Sequence, residues 1–111
     1  KDVEQVKVYS LNKINKILSE DKNIIGYGAP AKATTVLNYF GISDKHFKYV
    51  LDDSEIKHNK FIPETNIQIK SKDSINVDNY EYILVLAWNF FDSIVENNKF
   101  NFKNSQFIKL K

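Results

Sequence analysis

Apolar residues recur at helical spacing from residue 3 to residue 18, where Val3, Val6, Leu11, Ile14, Ile17 and Leu18 alternate with Lys, Asn, Gln and Glu. That period predicts an amphipathic N-terminal helix. The pattern then shortens. Asn23–Tyr27, Phe47–Leu51, Asn66–Ile69, Tyr82–Ala87 and Gln106–Leu110 read as strands, and the unbroken run Tyr82-Ile83-Leu84-Val85-Leu86-Ala87 predicts a central strand covered on both faces. Between them, Pro30–Phe40 reads as a helix stopped by Gly41, Ser71 or Asp73 as the cap of a helical turn, and Phe90–Asn97 as a further helix. Gln106–Leu110 is expected as an edge or closing strand.

Strands alternating with helices predict an α/β fold. The expected architecture is a Rossmann-like, doubly wound, mostly parallel sheet of about five strands, preceded by the amphipathic helix. At 111 residues the chain fits one domain, able to bury roughly two-thirds of its unfolded surface. No internal repeat or second core interrupts it, and residues 1–22 read as a helix leading in from a domain upstream.

The most informative segment is Asn23-Ile24-Ile25-Gly26-Tyr27-Gly28-Ala29-Pro30-Ala31-Lys32-Ala33, a strand running into a glycine turn that opens a helix. Its Gly-x-Gly-x-x-Ala spacing is a variant of the dinucleotide fingerprint, with Ala31 where close helix–strand packing requires a small residue. Gly26 and Gly28 are expected to admit a tight turn and a close anion. Pro30 suits the first helical turn. The amides of Ala31, Lys32 and their neighbours, aided by the helix dipole, would face that anion, and Lys32 adds a full charge. Asp52 and Asp53 close the second strand, where a carboxylate can hold a ribose hydroxyl. At the end of the most apolar strand, Trp88 and Asn89 read in two ways: as a stacking ring and an amide that reads a ligand edge, or as a core residue and a helix cap. The loop Asp52–Pro63, with Glu55, Lys57, His58 and Lys60, lies at the same edge.

Composition narrows the chemistry. Apolar residues make up 42% and charged residues 27%, and no run approaches a membrane span. Neither does the N-terminal stretch carry a secretory pattern, so a cytoplasmic protein without a membrane partner is expected. Cysteine is absent, which removes disulfides, thiolate metal sites and a thiol nucleophile from this chain. His46 and His58 sit in separate loops, and no metal site is expected. Every basic residue is Lys and the net charge is +2, so phosphate recognition falls to backbone amides and lysine point charges. Lysines are interspersed with acids, which argues against a nucleic-acid face. No catalytic constellation emerges; the chain reads as a binding unit.

The segments Gly26–Ala33, Thr34–Tyr39, Tyr49–Asp53, Phe61–Ile69 and Val85–Asn89 together resemble, in order, the C-terminal domain of SAM-dependent nucleotide-sugar C-methyltransferases. Ala33 and Ala87 depart from that pattern, which usually has Gly and often Pro there. The resemblance implies that this lobe positions an NDP-deoxysugar for methyl transfer in a domain upstream. It further implies that Gly26, Tyr27, Gly28, Ala29, Pro30, Ala31 and Lys32 face the phosphates while Asp52, Asp53, Trp88 and Asn89 line the same pocket. SAM and zinc would be cofactors of the upstream domains, with none in this chain, and the upstream SAM-binding domain would be a partner alongside the nucleotide sugar. Two other readings stay open: an independent NAD- or nucleotide-binding domain of an oxidoreductase, and a structural lobe without its own ligand.

Overall fold

The computed structural model describes residues 3–30, 32–100 and 102–109, and the side chains of Val3 and Trp88 lie outside the described set. Four residues of the expected elements, Lys1, Asp2, Ala31 and Leu110, therefore lie outside the described residues. Among the described residues six strands form one sheet: β1 (Ile24–Tyr27), β2 (Tyr49–Leu51), β3 (Phe61–Ile62), β4 (Ile67–Lys70), β5 (Tyr82–Val85) and β6 (Gln106–Lys109). Their order is β3-β4-β2-β1-β5-β6, and every pairing is parallel except β3 with β4. Without β3 the remaining strands follow the Rossmann order, third-second-first-fourth-fifth. The order reverses between β1 and β5, which makes that junction the topological switch point.

The described helices α1 (Val3–Ser19), α2 (Ala33–Phe40) and α3 (Phe91–Asn98) cover the sheet. Alternation along each strand decides which face each side chain meets. Ile24, Val50 and Leu84 join Ile14 and Ile17 of α1 and Ala33, Leu37 and Phe40 of α2 in one core. Ile25, Tyr27, Leu51 and Ile83 face the other way, with Phe102 and with Ile94 of α3. All four residues of β1 are buried, as expected for the central strand of a three-layer stack. Among the described residues no helix is long and apolar enough to cross a membrane.

The expected elements recur, with shifted limits. α2 begins at Ala33 rather than Pro30, and the Ala33 N–H turns back to the Pro30 carbonyl at 2.9 Å. Its far end is as expected: Gly41 takes a left-handed φ of 72°, and the Ile42 N–H returns to the Leu37 carbonyl at 2.9 Å. The turn after Ser71 is a single 3-10 turn over Lys72–Ser74, and another over Trp88–Phe90 leads into α3.

β3 is the strand that the pattern does not predict. Two residues are too few for an alternation signal, and Pro63 follows directly. Pairing comes instead from a hairpin whose loop turns on Thr65, 1% exposed, whose hydroxyl donates to the Ile62 carbonyl and accepts from the Ile67 N–H. Glu64 and Asn66 hold left-handed φ values of 67° and 60° in that loop.

Candidate functional site at the carboxyl edge of the sheet

The two glycines of the fingerprint do different work. Gly26 lies within β1, paired with Val50, and a Cβ placed on it would come within 2.7 Å of Val50 Cγ2 and 3.3 Å of Phe47. Its missing side chain lets β2 and its neighbours close on β1. Gly28 sits beyond the strand at φ +87°, where its N–H donates to the Leu51 carbonyl at 2.7 Å. A Cβ there would lie 3.2 Å from Ala87 Cβ. The loops leaving β1 and β5 thus touch at the switch point, with the Leu86 N–H bonded to the Tyr27 carbonyl at 2.9 Å.

Ala29 is gripped from both sides by the segment that follows β2. Its N–H donates to Asp52 Oδ2 at 2.7 Å and its carbonyl accepts from Lys57 Nζ at 2.9 Å. Asp52, with only 13% of its side chain exposed, also accepts the Ser54 N–H at 2.8 Å and lies 4.0 Å from Lys57 Nζ. His58 Nε2 meets the Asp52 carbonyl at 2.6 Å. Two fingerprint amides, those of Gly28 and Ala29, are therefore bonded within the protein. With both peptide groups of Ala29 held by neighbours, α2 begins at Ala33, preceded by Lys32, whose φ of −77° and ψ of −9° are already helical. Lys32 is exposed and makes no capping bond through its side chain.

Asp53 points elsewhere. Its carboxylate accepts the Tyr27 hydroxyl at 3.0 and 3.1 Å and pairs with Lys72 Nζ at 3.4 Å, while 69% of its side chain stays exposed. Lys72 Nζ also lies over the Tyr27 ring, 5.6 Å from its centroid, and donates to Oδ1 of the buried Asn98 at 3.0 Å. Asn98 Nδ2 donates to the Ile94 carbonyl. Burial pushes the Tyr27 phenol above its ordinary range, and the bond to Asp53 adds to the rise. For Lys72 burial acts downward, but the Tyr27 and Asp53 contacts outweigh it and the ammonium is held above its ordinary value.

These groups border a cleft of about 460 Å³ beyond the ends of β2 and β4, lined by Asp52, Asp53, Glu55, His58 and the Ser71–Asp73 turn. A second cleft, about 500 Å³, opens at the opposite edge beside His46, Tyr49 and Tyr80. Among the described residues no group of three or more His, Cys, Asp or Glu could hold a metal ion.

The fold thus brings Tyr27, Gly28, Ala29, Pro30, Lys32, Asp52, Asp53 and Asn89 to one edge, while Gly26 lies inside the sheet. Asn89 is exposed there; Ala31 and the Trp88 ring lie outside the described residues. Lys72 and Asn98 carry no sequence signal, since they reach the site from separate elements. Lys57 could be suspected only from its place in the patternless loop after β2.

Two comparisons bear on this arrangement. The family described as the C-methyltransferase C-terminal domain matches residues 1–110. The C-methyltransferase NovU of Streptomyces niveus is 28% identical over 96 residues, which cover 86% of this chain but 23% of that protein. The chain accordingly spans about a quarter of the length of that relative. With the family match running along nearly all of its residues, the chain belongs to the C-methyltransferase C-terminal domain family.

Proposed function

We propose that this domain holds a nucleotide-linked deoxysugar at its carboxyl edge and presents it for carbon methylation by a SAM-binding domain of the same enzyme. The observation that carries the reading is the meeting of the β1 and β5 loops at the switch point, where Gly28 passes Ala87 and the exposed Lys32 and Asn89 flank the junction. Open α/β sheets bind ligands at that location. Lys32 and the first turn of α2 supply positive potential for the diphosphate. Asp53 remains open on one side to accept hydroxyls, whereas the Asp52 carboxylate is already bonded to amides. Methyl donor, zinc and the groups that abstract a proton from carbon belong, in this reading, to segments outside this chain. A cytoplasmic location goes with it.

Titration of the isotopically labelled 111-residue chain with nucleoside diphosphates and NDP-deoxysugars tests the proposal. Amide shifts are expected at Gly28, Lys32 and the start of α2. Lys32→Ala is expected to weaken binding about fivefold, equivalent to roughly 1 kcal/mol for one charged contact to phosphate. A lobe without its own ligand is the second reading, favoured by the internal bonds of the Gly28 and Ala29 amides. Unmoved amides at millimolar ligand would decide for it.

A further inference from the structure

We infer that Lys57 is a positioning residue, which presets the glycine loop for diphosphate without touching it. The inference rests on the binding reading above and adds a residue to it. Ala29 lies between Gly28, which as a glycine has the widest intrinsic range of dihedrals, and Pro30, whose φ is fixed. Its N–H belongs to the peptide on the Gly28 side and its carbonyl to the peptide on the Pro30 side. Asp52 Oδ2 holds the first at 2.7 Å and Lys57 Nζ the second at 2.9 Å. Both planes around Ala29 are therefore oriented by side chains from the loop after β2, and Asp52 and Lys57 stand 4.0 Å apart as an ion pair. Releasing the carbonyl returns torsional freedom to the segment that carries Lys32, and a ligand must then order it on binding. One of the three donors of the Lys57 ammonium goes to the Ala29 carbonyl, and the contribution inferred for it is geometric rather than a direct contact with phosphate.

Inorganic pyrophosphate, titrated into the full chain by NMR at two ionic strengths, separates these roles. Lys57→Met is expected to weaken binding about threefold to tenfold, to leave the salt dependence of binding as it is in the unmodified chain, and to move the Gly28 and Ala29 amide shifts before ligand is added. Lys57→Arg, which can still donate to the carbonyl, is expected to recover most of the affinity. Unchanged affinity in Lys57→Met overturns the inference. So does a loss of affinity accompanied by a flatter salt dependence, which would mark a direct phosphate contact. If pyrophosphate leaves the unmodified chain undisturbed, the binding reading itself fails together with the ligand role of Lys57. The two failures differ in whether the unmodified chain responds.

Discussion

Asp52 shows how one side chain can be diverted from the task its position advertises. A carboxylate at the end of the second strand is placed for ribose hydroxyls, yet here it is 13% exposed and accepts two backbone N–H groups, from Ala29 and Ser54. Removing it would leave both donors without their partner at a half-buried site. Asp52→Ala is expected to destabilise the fold by about 1.5–3 kcal/mol, the range for hydrogen bonds to a charged group. Asp52→Asn keeps one acceptor oxygen and should lose about half as much. Urea denaturation of the three proteins measures both differences. An effect below about 0.5 kcal/mol for Asp52→Ala would mean that the carboxylate does not hold the loop.

Between elements, the tightest constraint is the contact of β1 with β2. Gly26 faces Val50 across the parallel pair, and Phe47 packs over the same spot. A methyl group at 2.7 Å from Val50 Cγ2 forces either the strand or the valine to move. Gly26→Ala is therefore expected to cost about 1–3 kcal/mol, the usual range for overpacking a filled core. Adding Val50→Ala makes room, so the double variant should lose less than the sum of the two single changes. Additivity in that thermal-denaturation cycle would contradict the steric account. Pro30 and the small residues around it permit a helix from residue 30, but α2 begins at Ala33, beyond the point where side chains from the loop after β2 hold Ala29.

Across the molecule, Tyr27, Asp53, Lys72 and Asn98 tie together β1, the end of β2, the turn after β4, and α3. The folded state raises both the Tyr27 phenol and the Lys72 ammonium above their ordinary values, so it favours their protonated forms. That contribution is complete below the unfolded values and is lost as pH rises through the folded ones. Stability should therefore fall on the alkaline side. Denaturation midpoints between about pH 9 and pH 12 should decline less steeply in Tyr27→Phe, which has no phenol proton to lose. Equal slopes in the two proteins would remove Tyr27 from the alkaline transition. The same tie lies on the α3 face of the sheet, where it joins the central strand, through Tyr27, to the last residue of α3, Asn98.

The periodicities of the chain suffice for the class of fold and for most elements, because apolar spacing reports directly which faces must leave water. They also place the glycine loop, Asp52–Asp53 and Trp88-Asn89 at strand ends, and parallel topology then collects strand ends at one edge. The hairpin of β3 escaped because its pairing depends on the buried Thr65 hydroxyl rather than on alternation. The division of labour between neighbouring residues escaped as well: Gly26 serves packing and Gly28 the turn, Asp52 is bonded inward and Asp53 faces solvent. Lys57, Lys72 and Asn98 join the site from distant stretches of chain. Hydrophobic pattern is a one-dimensional record of burial, whereas hydrogen-bond partners are chosen by distance in three dimensions, and these side chains meet theirs only after the strands have packed.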